Sequence, residues 1–375
     1  MPATTPLSVL DLSPISAGGS AARALADTLD LAVAVERAGY HRFWVAEHHL
    51  VPGVASSVPA VLVAAVAART SRLRVGSGAV LAGYRTALDV AEQFGTLAAI
   101  HPDRIDLGLG RSGHRGGPPP AGSSSGSPDR VVDGLLLPEP FPLSRLDPKR
   151  FGAVAALLQL PGAVPEPFGD QVRAILDLLE GRGRAPDGQA VSAPAASAGR
   201  PQVWLLGSGA GESAQLAGQL GLPFAANYHV SPGTVLDAVE ACRAAFRPGP
   251  VLRRPHVLVS ADVLAAPDAE LARELAEGFG LWVLGIRAGS GAPQYPSPAQ
   301  AREHPWTDAE REVVRDRLAT RFVGTPDDVV ERLRTLQRVT AADELLLTTI
   351  TYEHRHRVRS YELLAQAWAA SRAAS

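Results

Sequence analysis

The chain has 375 residues, 46% hydrophobic and 20% charged, with 36 basic against 38 acidic side chains and a formal net charge of −2. That near-balance leaves no electrostatic footprint for nucleic acid or for an anionic membrane. Cys242 is the single cysteine, which excludes a disulfide framework and a cysteine-rich zinc site.

The opening stretch MPATTPLSVLDLSP has neither a basic n-region nor a long apolar h-region, so no signal peptide is expected. No run of about 20 apolar residues occurs, so no transmembrane helix is expected either. The reading is a soluble, cytoplasmic protein. Lys149 is the single lysine among 36 basic residues; with Ala and Pro so frequent, this reflects GC-rich coding rather than function.

Strand-like and helix-like segments alternate along the chain. Residues 7–12 predict a strand closed by Ser13-Pro14, and 20–38 a helix with Leu25, Leu29, Ala32 and Val35 on one face and Gly39 as its C-cap. Strand 43–49 and helix 57–69 follow, then strand 73–81 and helix 86–100, with Leu88, Ala91, Phe94, Leu97 and Ala98 on one face. The fourth strand is 104–110. The fifth is 202–207 with helix 211–220, and the sixth 222–229 with helix 234–246. The seventh is 256–265, followed by helical stretches at 268–287 and 308–321; the eighth, 344–351, lies between helices 326–338 and 354–370. This α/β alternation predicts a (β/α)8 TIM barrel, one domain over residues 1–375.

Three stretches break the rhythm: 112–130 and 181–200, rich in Gly, Pro, Ser and Ala, and 289–306 within the seventh unit. They read as loop insertions at the C-terminal face. The first two lack the material for a packed element. The third is placed to act as a lid, because strand-to-helix loops frame barrel active sites.

Four clusters carry candidate chemistry. Glu47-His48-His49 ends the second strand, where alternation lets only one histidine face the barrel mouth. A histidine there suits acid–base work, or is simply satisfied by water or backbone. No HExxH motif or carboxylate triad accompanies the pair, so no metal is expected. The loop Gly207-Ser208-Gly209-Ala210-Gly211-Glu212-Ser213 joins the fifth strand to a helix and suits a phosphate, since small residues let backbone N–H groups approach it. It is not a dinucleotide fingerprint: Glu212 stands at the third glycine position, and Asn227 and His229, not a carboxylate, end the next strand. Gly108-Leu109-Gly110-Arg111 leaves room for a flat ring beside a cation that can clamp an anion or make a rim ion pair. Gly76-Ser77-Gly78-Ala79 signals a close backbone approach or a bulge. Cys242 reads as a small core residue, and His354 and His356 as part of a solvated face.

The segments VAEHH (45–49), RVGSGAVL (74–81), AEQFGTLAAIHPDRIDLGLGR (91–111), VWLLGSGAGESAQLAGQLGLPFA (203–225) and VGTPDDVVERL…DELLLTTIT (323–351) occur in this order. Together they resemble the bacterial-luciferase-like flavin monooxygenases, especially the single-chain members that tailor polyketides and other natural products. The match covers most of the chain outside 112–200. It implies a homodimeric barrel that binds reduced FMN, supplied by a separate flavin reductase, and oxygenates a small organic substrate with O2 through a C4a-peroxyflavin. It implies further that His48 is the catalytic histidine and that Gly78-Ala79 forms a non-prolyl cis peptide beneath the flavin. Gly110, Arg111 and the loop residues Gly207, Ser208, Gly209, Gly211 and Ser213 become cofactor contacts. Asp11, His49, Asn227 and His229 are weaker candidates for contact with substrate. The luciferase archetype carries a reactive cysteine where this chain has Gly110, so light emission does not carry over. Two alternatives stand beside this reading: a deazaflavin-dependent oxidoreductase transferring hydride, and a non-enzymatic flavin-binding protein.

Overall fold

The computed structural model describes residues 5–111, 128–142, 148–159, 162–288 and 291–373. Eight parallel strands close into a barrel: β1 (Leu7–Asp11), β2 (Arg42–Val45), β3 (Arg74–Ser77, continued by Val80–Leu81), β4 (Ile105–Gly110), β5 (Gln202–Gly207), β6 (Phe224–Asn227), β7 (Val257–Ala265) and β8 (Glu344–Thr348). Each pairs with the next, and β8 closes the ring by pairing with both β7 and β1. The outer helices are α1 (Ala21–Ala38), α2 (Pro59–Arg69), α3 (Ala87–Ile100), α4 (Phe168–Leu179), α5 (Glu212–Leu220), α6 (Val235–Ala245), α7 (Pro326–Thr340) and α8 (His354–Ala373).

Local sequence explains the helix limits. Ser20 caps α1 by accepting from the Arg23 N–H, and Gly39 ends it with φ at 88°, a backbone state that costs glycine little. Thr325 and Asp328 form a reciprocal capping box at the start of α7. The faces that α1, α3 and α7 bury join outward-facing strand residues such as Val9, Phe43, Val75, Leu107 and Leu345 in one continuous apolar shell.

The barrel interior is layered with the two-residue period of the strands. At the N-terminal end lie Ser8, Arg42, Asp106, Gln202 and Glu344, joined as one polar cluster. Two residues further along are Leu10, Trp44, Trp204, Leu258 and Leu346, an apolar layer in which the two indoles meet edge to face at 5.2 Å. The next layer holds Leu12, Ala46, Gly110, Leu206, Ser260 and Thr348, which line an open cavity.

Several expectations need correction. The second strand ends at Val45, not 49. The helical stretch 268–287 divides into Ala269–Ala276 and Gly278–Arg287. Helix α4 was not anticipated, although Phe168, Val172, Ile175 and Leu179 repeat with helical spacing and are buried. The hairpin Arg130–Val132/Leu135–Leu137 and the short strand Phe322–Gly324 were also missed. Residues 181–200 do build a packed element: helix Pro194–Ser197 lies on α3 with Ala196 fully buried. A Cβ on Gly95 would fall 2.1 Å from the Ala196 carbonyl oxygen, and one on Gly199 would fall 2.2 Å from the Ala99 nitrogen. The small residues that read as loop are what this contact requires. Most of 112–130 lies outside the described residues, as do 289–290. The rest of 289–306 packs on the β1 and β2 loops, where Gly53 N–H donates to Ala292 and Tyr295 N–H to Ile15. No helix among the described residues is long and apolar enough to cross a membrane.

The polar cluster at the closed end makes a measurable demand. Glu344 is buried, and its carboxyl is held down at about 2 against its own desolvation by His256, Arg42 and Ser8. The folded pKa is depressed from 4.5, so this stabilisation is complete above the unfolded value and is lost as pH falls from about 4.5 towards 2. Glu344→Gln should therefore lower stability by about 3 kcal/mol at neutral pH, because it leaves a buried guanidinium short of one partner. It should also remove part of the acid-induced loss. Denaturant melts of both proteins between pH 7 and 3 test this, and equal stabilities at neutral pH would refute it.

Candidate active site

A cavity of about 990 Å³ opens at the C-terminal ends of the strands, the face where barrels of this kind place their chemistry. Leu10, Leu258 and Leu346 form its floor. Of the residues singled out from sequence, His48, Gly78, Ala79, Gly110, Arg111, Gly207, Ser208, Gly209, Gly211, Ser213, Asn227 and His229 all line this one space. Asp11 and His49 do not.

His48 continues the inward parity of Arg42, Trp44 and Ala46, although β2 has ended. Its N–H donates to the Ser56 carbonyl at 2.8 Å, which fixes the loop. His49 turns away and meets the Glu47 carboxylate at 2.8 Å. Glu47 is the organiser of this corner. Its side chain is fully buried; Oε2 accepts from the Leu81 N–H at 2.9 Å and Oε1 from Arg85 Nη2 at 3.0 Å. One carboxylate thus ties the histidine loop to the segment that follows Gly78.

The peptide between Gly78 and Ala79 is cis. Gly78 N–H donates to the Val45 carbonyl at 2.9 Å. A Cβ on Gly110 would lie 3.2 Å from that of Ala79, so here the two chain segments make a smooth wall with nothing larger than a methyl group. The neighbouring glycines serve the barrel itself: a Cβ on Gly76 would be 2.3 Å from the Asp106 oxygen, and one on Gly108 would be 2.1 Å from that of Ser77. Beside this wall α5 begins at Gly211, with no side-chain cap on its first N–H groups. Arg111 stands next to it, half-exposed, with Nη1 3.6 Å from Glu212 Oε2. An uncapped helix start beside a guanidinium is a place for an anion.

Comparison with known proteins gives the family. The sequence profile of the luciferase-like monooxygenases matches residues 5–117 and 168–343. The chain belongs to that family. It is 35% identical over 364 residues to YvbT of Bacillus subtilis (strain 168), covering 97% of both chains. It is 34% identical over 360 residues to a luciferase-like monooxygenase of Escherichia coli (strain K12), covering 96% of both. The crystal structure of apo-MsnO8 superposes with a TM-score of 0.76 at 30% identity, over 98% of this chain and 99% of that one.

In this luciferase-like monooxygenase a second arc of the cavity was not foreseen as a unit. His229 Nδ1 meets Ser260 Oγ at 2.6 Å, and burial pushes its imidazole down to about 4, against Asp262 and with Arg317 and His48. Asp262 accepts from Arg317 at 3.0 Å, both side chains being buried. Trp282 and Ile286 of helix Gly278–Arg287 complete this wall. The signal for Asp262 was an acid at an inward position of an otherwise apolar strand. Arg317 carried none, because it sits on a helix whose charged residues mostly face solvent. None of the described residues of 289–306 lines the cavity. They brace the helix that does, since a Cβ on Gly285 would strike the Pro293 ring at 2.5 Å. Asp11 is a structural group: it accepts from Thr28 at 2.6 Å and from Arg357 at 3.0 Å, and is buried. His354 is not freely solvated either, bonding Asp30 at 2.8 Å beside the buried Arg357. Cys242 is a buried core residue whose thiol burial pushes up to about 11.

The neutral state of His229 carries a pH signature. Its pKa falls from 6.5 to about 4 on folding, so the unfolded chain binds the proton first and stability declines as pH drops from about 6.5 to 4. His229→Gln should flatten that part of the curve and leave the region above pH 7 parallel to wild type. Chemical denaturation at half-unit pH steps reads this, and an unchanged slope would show that the imidazole is not held neutral.

Proposed function

We propose that the protein oxygenates a small organic substrate using O2 and reduced FMN delivered by a separate reductase. The observation that carries this reading is the convergence on one cavity wall of the Gly78-Ala79 segment, Gly110, Arg111 and the uncapped start of α5, with His48 alongside. The residues fit the cofactor. The wall at Ala79 and Gly110 presents nothing larger than a methyl group to a flat ring, while Arg111 and the N–H groups after Gly211 would hold a phosphate. The Arg111–Glu212 contact is half-exposed, and such pairs contribute about 0–1 kcal/mol. A charge-assisted bond to phosphate contributes roughly 1.5–3 kcal/mol, so a bound phosphate would displace Glu212 from Arg111.

When bound, the reduced flavin supplies the electrons that activate O2. The protein's own work is to position and to shield. The leucine floor and the Trp282–Ile286 wall keep the cavity apolar, which limits water at the reacting centre. A ring nitrogen of His48 would hold or move a proton beside the cofactor or substrate, a role that general acid–base groups fill at near-neutral pKa. Glu47 keeps that loop in register with the ring wall. His49, bound to Glu47, has a structural part.

Titration of the purified protein with FMN, reduced FMN and reduced deazaflavin tests the cofactor. Tighter binding of the deazaflavin than of either FMN form, with no oxygen consumption, would replace this reading by hydride transfer. Arg111→Ala should weaken FMN binding by roughly 1.5–3 kcal/mol, and wild-type affinity would remove Arg111 from the site. His48→Ala should lower single-turnover product formation by roughly 10²–10⁴ while FMN binding persists. Hydrogen peroxide measured beside product separates loss of oxygen transfer from uncoupling. If His49→Ala abolishes product and His48→Ala does not, the two roles are exchanged.

A further inference from the structure

The cavity has two chemically different arcs, and the strand order sets them apart. The arc on β3, β4 and β5 carries the glycine wall and Arg111; the arc on β6, β7 and β8 carries His229, Ser260, Asp262 and Thr348, with Arg317 and Trp282 from added helices. We propose that this second arc is an electroneutral recognition site, and that it selects an uncharged substrate with an apolar body and a polar head that both donates and accepts hydrogen bonds, as a secondary amide does. The proposal rests on the monooxygenase reading for the identity of the ligand as substrate, and on this chain's own residues for its chemistry.

Charge accounting carries the argument. Asp262 and Arg317 are the arc's two charged groups among the described residues; their side chains are 6% and 7% exposed and meet at 3.0 Å. They cancel. Among the described residues Arg317 is the only hydrogen-bond donor to Asp262, and it uses Oδ2, so Oδ1 remains for a donor on the ligand. Thr348 also lines the cavity, and its buried hydroxyl has no hydrogen-bond partner among the described residues. His229 is neutral and its Nδ1 is committed to Ser260. The other charged groups on the cavity wall are engaged or peripheral. Glu47 is buried with three partners, Arg111 pairs with Glu212, and Glu166 is exposed at the rim. A carboxylate head would meet the uncommitted oxygen of Asp262, and an ammonium head would meet Arg317. Either leaves a charge without compensation in a place that water reaches poorly. A neutral head that donates to Asp262 and accepts from Thr348 incurs neither cost. Around it, Leu12, Trp282, Ile286 and Ile350 offer apolar surface for the body.

The test uses three probes each built on an eight-carbon chain: N-octylacetamide, octanoate and octylamine. Binding to the full-length protein is measured by calorimetry at neutral pH, with oxidised FMN and without it. The expected order is the amide first, by about tenfold over either ion. Thr348→Val should weaken the amide by about fivefold and leave the ions unmoved. Asp262→Asn leaves Arg317 uncompensated, so octanoate should rise above the amide. Arg317→Met leaves Asp262 uncompensated, so octylamine should rise instead. These inversions are gains of binding, which a merely damaged fold does not produce, and either folded variant is sufficient. Equal or tighter binding of an ion to the wild type overturns the proposal. So does absence of binding by all three probes, or an unchanged order in the variants. If FMN fails to bind, the probe ranking in FMN-free protein still stands, and only the monooxygenase reading of the site falls.

Discussion

Arg42 is the side chain on which the barrel closes. Its guanidinium reaches Glu344 of β8 at 2.9 Å, Asp106 of β4 at 2.8 Å and Gln202 of β5 at 2.9 Å, and lies over the Trp204 ring at 4.8 Å. Arg74 of β3 meets the same Asp106 at 2.6 Å, and Ser8 of β1 bonds the same Glu344. Six of the eight strands thus share one network at the N-terminal end. A buried charge without such partners would be costly. Here each carboxylate has at least two donors, and arginine's planar fork serves several acceptors at once.

Closing one end with ions frees the other end from structural duty. Above the network the indoles of Trp44 and Trp204 and three leucines fill the bore. Above those, side chains shrink to Ala46, Gly78 and Gly110, and the bore widens into the cavity. The gradient from ionic plug through apolar seal to open mouth follows from residue parity along each strand. Arg42, Trp44, Ala46 and His48 are one such series, and Glu344, Leu346 and Thr348 another. A residue two places further along a strand is one layer nearer the chemistry.

That parity is why so much of the site was legible in the sequence. The small-residue motifs at 76–79, 108–111 and 207–213 are local signals, and each lies at the strand or strand-to-helix turn that its local pattern indicated, although the second strand ends earlier than read, at Val45. Alternation allowed only one of His48 and His49 to face the mouth, the family resemblance pointed to His48, and the structure puts His48 and not His49 on the cavity. What was not legible depended on contacts distant in sequence. Helix Pro194–Ser197 looked like loop because its alanines, and Gly199 after it, acquire meaning only against Gly95 and Ala99 of α3. Asp11 was a weak candidate for substrate contact, yet Thr28 and Arg357 hold it on the helix side. The Asp262–Arg317 pair joins residues 55 positions apart on a strand and an added helix, and no periodicity links them.

Glu47 shows how such long-range contacts decide the site as well as the fold. The residue lies between Ala46 and His48, so any shift of its carboxylate shifts the histidine beside it. Both of its oxygens are spoken for by the far side of the site: Oε2 by the Leu81 N–H, Oε1 by Arg85. His49 adds a third contact from the same loop. The His48 loop and the glycine wall are therefore not two elements that happen to be near each other. They are held at a common distance by a single buried group, which has no water to compete for its bonds and so tolerates little displacement. A histidine placed by backbone alone would be free to drift with its loop. Here its register is set by the same contacts that set the wall, which is the preorganisation that the proposed reaction would require.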